Sequence, residues 1–365
     1  MQVSTCWTKE SNLRDTLYLL ERVSSVLCKR AGAAGERIYG LVQKRDFQAL
    51  INYEFRYSES DDVSQLIAAR QAIALYQKLE PLEVPGVDKE ANALAAWHAA
   101  EESCRLTNNL LRGVSTGSVF LLPRDNLIFH KARGIIANIL GRAPSLGSLA
   151  PRFGPGSTAT VKKSRAAVPA KLGEQPSCSL ELLASGRTNE LLHFSPHWLD
   201  CHCNGEYMKA DDPDWIYDSI DIVVETGHLE FVPKNAKTYR GIDKQPTINT
   251  LWQSAVGDYM AGLLRRRGID LSDQSANQRA AKKGSIDGLT ATIDLSSASD
   301  TISYELVKSL LPDDWFSLLR SVRCGITNYH GTKFRLEKFC AMGNGFTFPL
   351  ESVIFYALCK ASLPV

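Results

Sequence analysis

The chain is 365 residues long, with 44% hydrophobic, 22% charged and 8% aromatic residues and a formal net charge of +2. These proportions exclude general disorder and fibrous architecture, and no window reaches the roughly 18 continuous apolar residues of a membrane helix. The length is ample for roughly two to three domain-sized units with cores of their own. The opening residues, MQVSTCWTKE, carry neither a basic n-region nor a long apolar stretch, so no signal peptide is expected. Nine cysteines form an odd set without a Cys-x-x-Cys pair. That count fits reduced thiols in a cytosolic compartment better than a disulfide framework.

In chain order, the first ~150 residues are predicted to be mostly helical. Asp61 and Asp62 can cap a helix running through Val63, Leu66, Ile67 and Ile73 to about Leu79, where Pro81 and Pro85 stop it. A second helix is predicted over residues 92–112 and a third over 126–140. The third sets Leu127, Ile128, Ile135, Ile136, Ile139 and Leu140 near one face and ends at Gly141. Residues 141–173, rich in Gly, Pro and Ser, read as an irregular basic loop region. No internal repeat or low-complexity tract is present.

Further along, residues 289–295 alternate: Leu289, Ala291, Ile293 and Leu295 point one way, and Thr290, Thr292 and Asp294 the other. This predicts a strand with one apolar face. A helix follows over residues 303–311, stopped by Pro312. Gly343-Asn344-Gly345 reads as a flexible loop before a helix with Pro349 in its first turn and Glu351 beside the positive end of the dipole. Leu350, Val353, Ile354, Ala357, Leu358 and Ala361 repeat there at helical spacing.

Charge is unevenly placed. Residues 231–283 hold ten Lys/Arg against four Asp, and residues 151–171 hold five basic residues and no acid. Between them, residues 200–230 carry nine acids and one Lys. Such basic stretches are candidate footprints for polyanions, phosphate above all, or else solvated surface of mixed charge.

Four groups of residues could carry chemistry. Asp294 closes the predicted strand six residues before Asp300, where a carboxylate can hold Mg²⁺ for phosphate chemistry; Asp, Ser and Thr after a strand can equally be turn chemistry. Lys234, Lys237 and Arg240 recur at three-residue spacing in FVPKNAKTYR and could converge on a triphosphate, or simply form a solvated basic loop. The Gly343-Asn344-Gly345 loop permits close backbone approach to a ligand, as does Gly154-Pro155-Gly156-Ser157, and either can be an ordinary turn. His193, His197, Cys201, His202 and Cys203 have metal-ligand side chains, but Cys-x-Cys is tighter than the usual zinc spacing, and Phe194 and Trp198 interleave as in a packed surface segment. GxSxG, HExxH and GxGxxG fingerprints are absent.

The order of the motifs is more specific than any one of them. FVPKNAKTYRGI precedes DLSSASD, which precedes MGNGFTFPLES at the start of a long helix. This order resembles the catalytic subunit of the replicase of single-stranded RNA bacteriophages, the levivirus RNA-dependent RNA polymerases. IDLSDQSANQRAA and, upstream, RFGPGSTATVKK are similar to further family segments. The resemblance implies an α+β, right-handed polymerase fold: a helical N-terminal region over 1–150, a basic fingers region over 151–288 and a partial palm over 289–365. It implies that Lys234, Lys237 and Arg240 hold the incoming triphosphate and that Asp294 is the first palm carboxylate of a two-ion Mg²⁺ site. Asp300 would read the ribose 2′-hydroxyl, and Gly343, Asn344 and Gly345 would form the loop beneath the nascent base pair. Implied partners are template and product RNA, ribonucleoside triphosphates, host elongation factors Tu and Ts and a ribosomal protein, in the cytoplasm of an infected bacterium.

One departure stands out. The family's Tyr-Gly-Asp-Asp hairpin does not occur, and the pair Asp313-Asp314 precedes the glycine motif instead of following it. The sequence is therefore expected to be the N-terminal part of a replicase, without thumb, completed palm or activity by itself, with an Asp-Asp pair encoded beyond Val365. Two alternatives remain. A reverse transcriptase shares the palm but generally excludes the 2′-hydroxyl with a bulky group where Asp300 stands. A non-catalytic RNA-binding protein would show salt-dependent binding without need of Mg²⁺ or triphosphate.

Overall fold

The basic segment that includes Lys234, Lys237 and Arg240 folds with the N-terminal helices and not with its sequence neighbours: residues Met1–Ala96 and Phe231–Gly241 form one unit, and Trp97–Glu230 with Ile242–Val365 form a second. The computed structural model describes residues 9–56, 58, 62–187, 202 and 221–363.

The first unit is built from helices α1 (Lys9–Arg30), α2 (Gly32–Gln43), α3 (Phe47–Asn52) and α4 (Val63–Gln77). Lys29 and Arg30 close α1 at the negative end of its dipole. Any Cβ on Gly35 of α2 would run into the Cys28 carbonyl, so glycine lets the two helices meet at a tight corner. Asp46 caps α3 by accepting the Ala49 N–H at 3.0 Å, and Asp62 caps α4 by accepting the Ser64 N–H at 2.8 Å. Asp62 thus takes the predicted capping role, while Asp61 lies outside the described residues. Ala68, Ala69, Ala72, Ile73 and Tyr76 of α4 pack with Ala34, Ile38 and Leu50. A smaller cluster of Ile51, Leu82 and Val84 receives Ala236 from the basic segment.

Helix α5 (Lys89–Thr116) starts in the first unit and continues into the second, longer than predicted at both ends. Asp88 accounts for its earlier start, since its carboxylate accepts the Glu90 and Ala91 N–H groups at 3.0 and 2.9 Å. Helix α6 (Pro123–Leu140) starts at a proline, whose missing N–H costs nothing in the first turn, and ends at Gly141 with φ of 61°. After it come α7 (Val168–Gly173), β1 (Ser177–Cys178), α8 (Leu180–Ala184), β2 (Val223–Val224), β3 (Gly227–Val232), β4 (Arg240–Lys244), α9 (Thr247–Arg266), α10 (Ser275–Asp287), α11 (Tyr304–Leu310), α12 (Asp313–Val322), β5 (Ile326–Tyr329), β6 (Thr332–Arg335) and α13 (Thr347–Ser362). The fold is α+β and rich in helix, with a small mixed sheet.

The core of the second unit is organised by α9, which buries Ile248, Leu251, Trp252, Ala255, Val256, Met260 and Leu264. Helix α13 follows its predicted pattern: Leu350, Val353, Ile354, Ala357 and Ala361 are buried, and it packs against α6 and α9. Each of its fully buried Leu, Val and Ile side chains contributes about 1.5–3 kcal/mol of transfer free energy. The four-stranded sheet has the order β4-β3-β5-β6, with β3 parallel to β5 and β5 antiparallel to β6. The β5–β6 hairpin turns through His330 and Gly331, at φ of 48° and 87°, with Asn328 Oδ1 accepting the Gly331 N–H at 2.8 Å. β1 and β2 form a separate parallel pair.

One predicted element does not form. Residues 289–295 are irregular, with Leu289 and Ile293 exposed at 82% and 84%. A strand exists only when its backbone is paired, and among the described residues no strand pairs with this segment. The preceding helix α10 buries no residue either, so residues 275–295 form an exposed excursion.

Candidate functional site

In the first unit, the basic segment is a built turn. Asn235 Oδ1 accepts the N–H groups of Lys237 and Thr238, both at 2.9 Å, and closes an Asx turn. The Ala236 N–H donates to the Gln77 carbonyl at 3.1 Å, and the Tyr239 N–H to the Lys89 carbonyl at 3.2 Å. Asn92 Nδ2 donates to the Lys237 carbonyl at 3.0 Å. The backbone is therefore tied to α4 and α5, while Lys234 and Arg240 are exposed and Lys237 is half-buried. Among the described residues no carboxylate pairs with any of the three cations. Three uncompensated positive charges on one anchored turn are suited to a multiply charged anion.

In the second unit, Gly343-Asn344-Gly345 forms a turn against Asp243 and the middle of α9. Gly343 has φ of 120°, and a Cβ there would stand 2.5 Å from the Asp243 carbonyl oxygen; a Cβ on Gly345 would stand 2.7 Å from the backbone of Gln253. Across from it, a Cβ on Gly257 would collide with the Gly345 carbonyl. The glycines are thus needed for contact with the chain's own backbone. Asn344 Oδ1 accepts the Ala341 N–H at 2.7 Å, and Thr347 Oγ1 donates to the Ala341 carbonyl at 2.9 Å, so the turn is locked from both sides.

Beside this turn lies a buried polar network that neither spacing nor motif indicated. Asp243 accepts from Thr327 Oγ1 and Gln245 Nε2, both at 2.8 Å, and its N–H donates to the Met342 carbonyl at 2.8 Å. Gln245 Oε1 accepts from Gln253 Nε2 at 3.0 Å, and Gln253 Nε2 also reaches the Val322 carbonyl at 3.0 Å. Burial pushes the Asp243 carboxyl up to about 6, against the opposing pull of the Thr327 hydrogen bond and the Lys338 charge. The one sequence signal is that Asp243 is the only acid between Phe231 and Gly257.

Asp300 occupies a single turn before α11 and pairs with Lys338, Nζ to Oδ1 at 3.0 Å. Lys338 also lies 3.3 Å from Glu101 Oε1, and its backbone forms an antiparallel bridge with Ser303. Burial, reinforced by the charge of Asp300, raises the Glu351 carboxyl on α13. Arg323, fully buried, stacks on Tyr304 and Phe339 at 5.1 Å from each ring centroid and donates to the Lys338 carbonyl at 3.1 Å. Sequence reasoning missed Lys338 and Arg323, because their partners lie far away along the chain.

Asp294 stands apart from this group, exposed on the irregular segment. Among the described residues no group of three or more His, Cys, Asp or Glu side chains could hold a metal ion. The described residues therefore do not by themselves fit a two-ion Mg²⁺ site. Of the predicted metal-type cluster, His193, His197, Cys201 and Cys203 lie outside the described residues, and His202 is hydrogen-bonded to the Leu172 carbonyl at 2.9 Å.

The other basic stretch divides in two. Arg152 makes a two-pronged pair with Asp258 at 2.5 and 2.8 Å, and buried Lys171 donates to the Gly154 carbonyl at 2.5 Å beneath Phe153. These two cations hold the Gly154-Pro155-Gly156-Ser157 region in place. Lys162, Lys163 and Arg165 remain exposed.

A sequence model of the family described as RNA replicase, beta-chain matches residues 71–365, and the chain belongs to that family. The RNA-directed RNA polymerase subunit beta of Enterobacteria phage SP is 34% identical over 290 residues, covering 76% of this chain and 45% of that protein. The protein of the same name from Escherichia virus Qbeta is 34% identical over 280 residues, covering 76% of this chain and 44% of its own length. The RNA-directed RNA polymerase beta chain of Escherichia phage MS2 is 51% identical over 131 residues, covering 36% of this chain and 24% of that protein. The chain thus spans less than half the length of these relatives.

Proposed function

We propose that this chain contributes the fingers and part of the palm of a right-handed RNA-directed RNA polymerase, which transfers ribonucleotides to RNA 3′ ends under template direction to replicate a phage genome. The observation that carries this reading is the anchored turn with three uncompensated cations, found in a member of the replicase beta-chain family. In this reading residues 1–150 are a helical N-terminal region, 151–288 the fingers and 289–365 part of the palm.

Lys234, Lys237 and Arg240 bind the triphosphate and offset the charge that grows on the leaving pyrophosphate. Asp300 accepts a hydrogen bond from the ribose 2′-hydroxyl, the group that separates RNA from DNA precursors. The Gly343-Asn344-Gly345 turn lies beneath the nascent base pair, stiffened by its packing on α9. Asp294 would be one ligand for Mg²⁺, together with carboxylates outside the described residues, and the ion would supply Lewis-acid chemistry at the RNA 3′-hydroxyl and the leaving oxygen. The partners are template and product RNA, ribonucleoside triphosphates and, by the resemblance, elongation factors Tu and Ts and a ribosomal protein in the host cytoplasm.

The test is nucleotide incorporation by the full replicase polypeptide. Asp294→Asn is expected to abolish incorporation with the fold intact, and Lys237→Ala to raise the KM for nucleotide about tenfold, as loss of a charge-assisted contact does. Unchanged incorporation by Asp294→Asn would sink the assignment. RNA binding that is indifferent to triphosphate and to Lys237→Ala would instead favour a non-catalytic RNA-binding protein.

A further inference from the structure

Lys338 is a buried cation where three parts of the second unit meet: α5, the turn before α11 and the segment after β6. Its side chain is 1% exposed, with Nζ 3.0 Å from Asp300 Oδ1 and 3.3 Å from Glu101 Oε1. The ammonium also lies over the Trp97 ring, 5.2 Å from the centroid. Burial alone pulls its pKa down, but the charges of Asp300 and Glu101 outweigh that and raise it, so Lys338 stays a cation.

The backbone around the ammonium is fixed. Phe339 N–H donates to the Ile302 carbonyl at 2.7 Å, and Tyr304 N–H to the Glu337 carbonyl at 3.0 Å, on either side of the Ser303–Lys338 bridge. Glu101 is held as well, its Oε2 accepting the Glu337 N–H at 2.7 Å. Asp300 is more open, with its side chain 27% exposed. Its Oδ1 takes the lysine, and its Oδ2 makes no hydrogen bond among the described residues.

We infer that Lys338 is a positioning residue for Asp300: its ammonium binds Oδ1, fixes the direction in which the carboxylate points, and leaves Oδ2 to accept from a ribose 2′-hydroxyl. The inference rests on the reading of Asp300 as the residue that contacts that hydroxyl. Without the cation, two carboxylates face the same buried space uncompensated. Asp300 then turns away, and its acceptor for the sugar is lost. Neither Asp300 nor Glu101 can keep the other in place, so the orienting force comes from the lysine. A merely structural lysine would affect folding stability through both carboxylates and leave sugar selection untouched.

The test measures the ratio of kcat/KM for a ribonucleotide over its 2′-deoxy counterpart in the full replicase polypeptide. Lys338→Met is expected to lower that ratio about tenfold or more, as Asp300→Asn does, because each removes a hydrogen bond involving a charged group. Lys338→Arg, which keeps a cation, is expected to recover most of the ratio. Glu101→Gln is expected to lower the melting temperature while leaving the ratio within about threefold, because the Lys338–Asp300 contact remains. The double variant Glu101→Met/Lys338→Met removes a carboxylate together with the ammonium, which keeps the test readable where the single variant does not fold. It too should lose selectivity. A ratio that stays at the parental value in Lys338→Met or in the double variant, while Asp300→Asn lowers it, would overturn the inference alone. An unchanged ratio in Asp300→Asn would overturn the reading of Asp300 and the inference with it.

Discussion

Asp243 shows what a single residue can hold in tension. Its carboxylate has two good hydrogen-bond donors, Thr327 and Gln245, yet desolvation dominates and lifts its pKa from 3.8 to about 6. A carboxyl whose pKa is raised on folding favours the folded state while it is protonated. Its contribution is therefore complete below the unfolded value and is lost as pH rises through about 6. The full swing amounts to about 3 kcal/mol, given 1.36 kcal/mol per unit. Asn at this position has no such titration. Denaturant unfolding of the parent chain should accordingly lose stability between about pH 4 and 6 relative to Asp243→Asn, and the two profiles should run parallel above that window. Parallel profiles throughout would show that burial does not control this carboxyl. The residues packed round Asp243 also explain why it escaped notice in the sequence: Thr327 is 84 positions away, and only the parallel pairing of β3 with β5 brings it near.

At the scale of elements, legibility followed locality. Helices α4, α6 and α13 were readable because caps, prolines and apolar repeats act within a few residues; Asp62, Gly141 and Leu350 sit where the pattern put them. Helix α5 outran its prediction at the N-terminal end by the reach of the Asp88 cap. Residues 289–295 failed for the opposite reason. Alternation is necessary for a half-buried strand but cannot supply the neighbour that strand must pair with. The same limit hid the Lys338 pairings, whose partners Asp300 and Glu101 are 38 and 237 positions away in sequence. By contrast, the basic turn was legible as a cluster of cations, while its Asn235 turn and its anchorage to α4 and α5 were not. The exposed segment makes a quantitative expectation. Ile293 is 84% exposed, so Ile293→Thr should change the stability of this chain by less than about 0.5 kcal/mol. In a strand with a buried apolar face the same change would cost roughly 1–3 kcal/mol. Urea midpoints of the two proteins decide between these values, and a loss in the larger range would mean that residues 289–295 pair after all.

Over the whole chain, net charge conceals how the cations are used. The formal +2 averages over cations of three kinds: buried ones such as Lys171, Arg323 and Lys338, paired ones such as Arg152, and exposed or half-buried ones without a carboxylate. Only the last kind can exchange counterions for phosphate. Two groups of that kind stand out among the described residues: Lys234, Lys237 and Arg240 in the first unit, and Lys162, Lys163 and Arg165 in the second. They differ in construction. The first sits on a hydrogen-bonded turn whose backbone is tied to two helices, which suits a compact anion bound in one geometry. The second follows a loop fastened by Arg152 and Lys171 and presents its side chains to solvent, which suits a polymer backbone met in many registers. Replacing Lys162, Lys163 and Arg165 by Ala should therefore flatten the plot of log binding constant for single-stranded RNA against log salt by about 2 units of slope, near 0.7 for each phosphate no longer neutralised. Triphosphate affinity should stay unchanged in that variant. Replacing Lys234, Lys237 and Arg240 should do the reverse, weakening triphosphate binding at every salt concentration with a smaller change in the RNA slope. Equal losses of both ligands in both variants would mean that the two groups serve one undivided polyanion surface, and the division of labour between a nucleotide turn and an RNA loop would have to be given up.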